Sequence, residues 1–304
     1  MVDVGAFQRR AGVLALVGAG LEAVVRGSWL FRMAAGDAGF PQPLLIDWAA
    51  FLVVVGLVAI GGAWLLGADE RRARVGAGIV GSIGALAAVT IPATLVAVTD
   101  LPADRGLLLL GALGALTAIV LATAGGFAVV SVRNDPRSGW EWPFADPPLW
   151  PRLAFLGSSL VVAITINTLL TDGARLASGV GVQSGVDLVF RQLPPTQLAL
   201  SLLSLAGFVA IGVFASGVRP AEVTVGAGTV LVIQGLQYVY GEVAVTFGWT
   251  TGREPTAGAT TGFTAWLLLH VLALVGLLTS MFLLVKSAPP APAESGRQPS
   301  RAAG

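Results

Sequence analysis

Eight stretches of about twenty or more predominantly apolar residues run through this chain, at 10–31, 44–67, 75–99, 106–132, 152–171, 195–217, 222–247 and 262–286. A helix needs about 20 such residues to cross the hydrocarbon core of a bilayer. Inside that core every backbone N–H and C=O must be paired within the protein, so only helices and closed barrels span it. The alternating ten-residue pattern of a barrel strand is absent from the sequence. The fold class expected is therefore an all-α integral membrane protein with eight transmembrane helices.

Composition narrows the function classes. Charged residues make up 12% of the 304 residues, against about 25% in soluble domains. The 18 Lys and Arg are balanced by 17 Asp and Glu, which leaves no strong global field to attract nucleic acid. There is no cysteine, and His270 is the single histidine. Disulfides, thiolate metal sites and bis-His haem ligation within one chain are excluded on that basis, and no cofactor or metal is expected. Short connections such as 68–72, 100–102 and 217–220 leave no soluble catalytic domain between spans.

Orientation follows from the placement of basic residues. With the N-terminus in the cytoplasm, the inside segments hold twelve of the Arg and Lys residues and the outside segments six. An N-in, C-in multi-pass protein of the cell membrane is expected. Arg9 and Arg10 precede the first span, but Glu22 and Arg26 interrupt it and no small-x-small cleavage site follows, so it reads as a retained helix rather than a signal peptide.

Two short segments recur. Residues 56–61 (GLVAIG) resemble 207–212 (GFVAIG) at an offset of 151, and 75–80 (VGAGIV) resemble 225–230 (VGAGTV) at an offset of 150. These matches predict two parallel four-helix repeats, related by an axis along the membrane normal. The division expected is a first repeat at 1–133, a Trp/Pro-rich interfacial linker at 134–151, a second repeat at 152–286 and a disordered cytoplasmic tail at 287–304. The linker holds Trp140, Trp142, Phe144 and Trp150, and tryptophan favours the headgroup level. Residues 76–81 fit G-x-G-x-x-G, but that motif binds dinucleotides only between a strand and a helix start. Here it reads as small residues that let helices approach closely.

Ionisable groups inside a membrane are costly and mark functional positions. They are Glu22 and Arg26 in the first span, Asp47 in the second, Glu242 in the seventh and His270 in the eighth. Glu22 and Arg26 are four apart and can pair on one helical face. Gln234, Gln237, Tyr238, Gly241 and Glu242 form one polar stripe on the seventh span. Under the expected orientation all five ionisable groups fall toward the outer leaflet. The candidate polar pocket thus comprises Glu242, Tyr238, Gln237, Gln234, His270, Glu22, Arg26 and Asp47.

Three functions fit these residues. One is a transporter-like bundle with an outward-facing polar pocket in the second repeat. Another is a non-catalytic membrane subunit or scaffold, whose partners are the bilayer and another membrane protein or a second copy of the chain. The third is a quinone- or lipid-linked membrane enzyme. Residues 61–67 (GGAWLLG), leading into a basic turn, resemble a hairpin of the DoxX-type quinone-linked family, and that resemblance implies the third function.

Overall fold

A computed structural model describes residues 3–35, 42–67, 69–99, 105–136, 138–140, 149–177, 195–246 and 257–287, with the backbone alone described at 29–30, 32–35, 42–51, 93–99, 105, 107, 167–177, 195–201, 238, 241–246 and 257–266. The described residues form eight helices: α1 (Val4–Ala35), α2 (Gln42–Leu66), α3 (Glu70–Thr99), α4 (Arg105–Asn134), α5 (Trp150–Ala177), α6 (Pro195–Gly217), α7 (Ala221–Thr246) and α8 (Ala257–Ser287). Each coincides with one apolar stretch of the sequence. Helices α1 and α3 start earlier than hydropathy alone places them, because a polar side chain caps the first turn. The Ala6 amide donates to Asp3 Oδ1 at 3.0 Å, and the Arg71 amide donates to Asp69 Oδ1 at 2.9 Å. Such caps satisfy amides that have no partner inside the helix.

Four described stretches are long and apolar enough to cross a membrane: Val4–Ser28, Glu70–Pro92, Leu108–Asn134 and Leu267–Ser287. Leu52–Leu66, Trp150–Ile166 and Leu202–Gly217 are shorter apolar stretches. The outward face of α8 presents Leu268, Leu272, Val275, Leu278 and Phe282, each more than half exposed, while its other face buries His270, Leu274, Leu277 and Met281. A continuous exposed apolar stripe of that kind is compatible with lipid and unusual for a surface facing water. The chain is thus consistent with a helical membrane protein.

Neighbours in the fold are regular. In the first half α1 packs on α2 and α4, and α3 on α2 and α4; in the second half α5 packs on α6 and α8, and α7 on α6 and α8. The halves meet through α3 and α7, flanked by the pairs α3–α6 and α2–α7. One apolar core gathers Ala11, Val58, Leu65, Val80 and Leu121, and extends into the second half through Val218, Val223 and Val230. The other gathers Phe155, Val162, Ile166, Leu231 and Leu277.

Glycine decides how close α3 and α7 come. A Cβ on Gly78 would run into the carbonyl oxygen of Val223 and lie 3.0 Å from the Ala227 nitrogen. A Cβ on Gly226 would run into the carbonyl oxygen of Val75 and lie 2.9 Å from the Ile79 nitrogen. The contact is reciprocal, and the pairs Val75/Val223, Gly78/Gly226 and Ile79/Ala227 are each 148 residues apart. The glycine run of α3 therefore serves three neighbours: Gly76 lies against Gly61 of α2, Gly78 against α7 and Gly84 against Gly125 of α4. A backbone wall on the far side is what requires glycine here.

The packing register differs from the register of the two sequence matches. Gly78 matches Gly228 in sequence, yet Gly228 lies against Met281 and Phe155 of α8 and α5 rather than against α3. Gly61 matches Gly212, yet Gly61 faces Ile79 and Val80 of α3 while Gly212 faces Ser159 of α5. An error of two residues turns a helix by about 200°, so these motifs recur without occupying equivalent contacts.

One end of the bundle collects charge. Arg74 pairs with Asp135 at 3.3 Å and joins the start of α3 to the end of α4. Arg71 pairs with Glu222 at 3.5 Å and joins the starts of α3 and α7. Gln8 Nε2 donates to the Leu65 carbonyl at 3.2 Å, which places the start of α1 beside the end of α2. Of the linker, residues 134–136, 138–140 and 149–151 are described. Its first part docks on the α6–α7 turn at this end: the Arg219 amide donates to the Gly139 carbonyl at 2.9 Å, and Trp140 pairs with Val218 and lies on Phe214, ring centroids 6.4 Å apart.

Candidate functional site

The polar groups of the second half converge where α5, α7 and α8 meet. His270 of α8 is fully buried. Its Nε2 lies 3.1 Å from the carbonyl oxygen of Gly235 on α7, and its Nδ1 lies 2.5 Å from Thr165 Oγ1 on α5. Both ring nitrogens are thus engaged, each by a different helix. Gly235 makes the approach feasible, because a Cβ there would lie 3.1 Å from His270 Nε2 and 2.6 Å from Leu274 Cδ2. On the same three helices Ile166, Leu231 and Leu277 belong to one apolar core and have no exposure. A hydrogen bond shielded this way is stronger than one in water, and a partner left unpaired is correspondingly costly.

In the first half, α1, α3 and α4 come together around Leu121. Leu121 of α4 fills the place between α1 and α3, where its side chain blocks any Cβ on Gly18 and its carbonyl lies 2.7 Å from where a Cβ on Gly84 would be. The two halves share a packing pattern and differ in what closes it.

The other candidates distribute as follows. Gln234 and Gln237 are half-buried on α7. Positions 235, 238 and 242 fall at i, i+3 and i+7, so Tyr238 and Glu242 share the helical face whose carbonyl binds His270. The side chains of Tyr238 and Glu242 on α7, and of Asp47 on α2, lie outside the described residues. Glu22 and Arg26 pair on α1, Arg26 Nε donating to Glu22 Oε1 at 2.5 Å. That helix packs against α2, α4 and α3, so the pair belongs to the first half and is not brought onto the His270 junction. Within the described residues the convergence is therefore narrower than the eight-residue pocket expected from the sequence.

No family model, curated protein or solved structure matches this chain. The likeness to the DoxX-type family thus stays confined to residues 61–67, where the structure gives the glycines a packing role: Gly61 lies against α3 and Gly62 against Gly12 and Ala15 of α1.

Two residues that carry structure here were not singled out in the sequence. Thr165 holds the histidine, but a threonine in an apolar span ordinarily bonds its own helix, as Thr117, Thr229 and Thr279 do. Arg152, at the start of α5, is buried. Its guanidinium donates to the carbonyls of Ser216 at 2.9 Å, Val218 at 2.5 Å and Arg219 at 2.9 Å. It thereby satisfies the carbonyls that the end of α6 leaves open.

A shallow depression of roughly 70 Å³ opens at the charged end between α3, α7 and α8, lined by Arg71, Val75, Ala221, Glu222, Val225 and Val285. Its ion pair is satisfied across it, and it is small beside an ordinary ligand pocket of a few hundred Å³.

Proposed function

We propose that this chain is a solute permease: eight membrane-crossing helices, N-in and C-in, arranged as two parallel four-helix halves joined along α3 and α7, with a proton-accepting polar core in the second half. One observation carries the reading. The α5–α7–α8 junction is closed by a buried histidine bonded to both neighbouring helices, where the like junction of the first half is closed by Leu121. An ionisable group held at that depth is the ordinary mark of an ion or proton pathway. The parallel arrangement is supported by the shared neighbour pattern of the halves and the reciprocal α3–α7 contact. The twelve-to-six distribution of basic residues supports the orientation. Glu242, on the α7 face that binds His270, is the group proposed to exchange protons with the outer solution.

In proteoliposomes given an inward pH gradient and a pool of small metabolites, the protein is expected to accumulate at least one solute. Glu242→Gln is expected to abolish that accumulation while elution on size exclusion and helical content stay unchanged. A variant that transports like the parent, or no gradient-driven uptake by either protein, would overturn the permease reading.

The second reading, a non-catalytic subunit of a larger membrane assembly, is favoured by the glycine-tight joint between the halves, which is as close as α3 and α7 backbones can come. It gains if Glu242→Gln dissociates a copurifying partner in mild detergent without affecting any flux.

A further inference from the structure

The hydrogen count at the α5–α7–α8 junction is informative. Three short contacts meet there: His270 Nε2 with the Gly235 carbonyl, His270 Nδ1 with Thr165 Oγ1, and Thr165 Oγ1 with the Val161 carbonyl at 2.8 Å. The Val162 carbonyl shares the last, at 3.0 Å. Each contact needs one hydrogen. A neutral imidazole and a hydroxyl supply two between them, whereas an imidazolium and a hydroxyl supply three. In the neutral ring the hydrogen must sit on Nε2, because the Gly235 carbonyl can only accept. Nδ1 then accepts from the Thr165 hydroxyl. When hydronium protonates the Nδ1 lone pair, one N–H bond forms, one O–H bond of the hydronium breaks and water is released. The threonine hydrogen rotates to the Val161 carbonyl, and Oγ1 accepts from the new N–H. Neither state strands a buried donor.

The charged and titratable positions on the surrounding helices fall in two groups. Arg152 of α5, Glu222 of α7 and Lys286 of α8 lie at the charged end, 13 to 16 residues from Thr165, Gly235 and His270 respectively, or roughly 20 Å along each helix. Toward the opposite end lie Asp172 and Arg175 on α5 and Tyr238, Tyr240 and Glu242 on α7; α6 carries no charged residue. Asp172 and Glu242 are each seven residues beyond the His270 partner on their own helix, two turns further on the same face.

We propose that His270 and Thr165 form a proton-binding site, in which the hydroxyl hydrogen of Thr165 switches between Nδ1 and the Val161 carbonyl as the ring releases and takes up a proton from solvent hydronium. The use of this site in transport rests on the permease reading; its chemistry does not.

Because His270 is the single histidine, labelling histidine with ¹³C and ¹⁵N reports on this ring alone. In lipid vesicles, the nitrogen shifts are expected to show hydrogen on Nε2 only at alkaline pH and on both nitrogens at acid pH, reversibly. Thr165→Val is expected to lower the proton affinity about tenfold, since the charged ring loses its acceptor, and Thr165→Ser to retain the parent behaviour. A ring locked in one neutral tautomer throughout the pH range in which the parent stays folded would overturn the proposal, whether or not the valine variant folds. An unchanged midpoint in a folded Thr165→Val protein would do the same. Titration without gradient-driven solute uptake would leave the site standing and remove the permease reading, while uptake without titration would do the reverse.

Discussion

Gly226→Leu is expected to destabilise the folded bundle by about 3 kcal/mol, at the upper end of what overpacking costs. The usual relief is closed off, because the atoms that a new side chain meets are backbone: the Val75 carbonyl, the Ile79 nitrogen and Gly78 Cα. Helix α3 cannot retreat without giving up its contacts with α2 and α4, which are themselves glycine-tight at Gly76 and Gly84. The reciprocal Gly78→Leu is expected to cost as much and to add little on top of Gly226→Leu, since either change alone separates the same two backbones. Gly126→Ala, at a position with nothing within 4 Å, is expected to stay within about 0.5 kcal/mol of the parent. Denaturant unfolding in detergent, followed by circular dichroism, distinguishes these outcomes. A Gly226→Leu protein as stable as the parent would mean that α3 and α7 do not meet at this joint.

Arg152→Leu is expected to cost about 3 kcal/mol by the same measurement. The substitution removes the donors to the Ser216, Val218 and Arg219 carbonyls and leaves three acceptors buried or half-buried without them. The damage is expected to be local at first. The α6–α7 turn, to which Gly139 and Trp140 also dock, should become the earliest site of proteolytic cleavage. Arg152→Lys is expected to recover less than half of the loss, because a single ammonium cannot fork across three carbonyls. Full recovery with lysine would show that charge at the α6 terminus matters more than the hydrogen-bond geometry.

Much of this architecture is legible in the sequence, for a physical reason. A long apolar helix leaves an unbroken hydropathy signal, so hydropathy places all eight helices, four of which are long and apolar enough over their described residues to cross a membrane. The first-turn caps Asp3 and Asp69 lie in polar sequence outside that signal, and the starts of α1 and α3 are correspondingly earlier than hydropathy puts them. The glycine run at 76–84 reads correctly as packing rather than nucleotide binding. Which neighbour each glycine faces is a property of three-dimensional register, and two residues of slippage reverse the face. For the same reason the matches at 150 and 151 do not identify equivalent contacts, and the likeness of the halves rests on which helices touch. His270 was visible because a lone imidazole in an apolar span stands out. Its partners were not: Thr165 looks like any helix-bonded threonine, and Gly235 contributes only a carbonyl. Glu22 and Arg26 pair on α1 as their spacing implies, but within the half opposite to His270.

The two-half arrangement is tested most directly by cysteine accessibility, since the chain contains no cysteine of its own. Single substitutions Ala38→Cys, Ala103→Cys, Ser184→Cys and Thr251→Cys are expected to react with a membrane-impermeant maleimide on intact cells. Ala68→Cys, Ala145→Cys and Ser287→Cys are expected to react only after lysis. Labelling of Ala38→Cys and Ser184→Cys from opposite sides would contradict parallel halves, and with them the placement of an outward-facing polar core in the second.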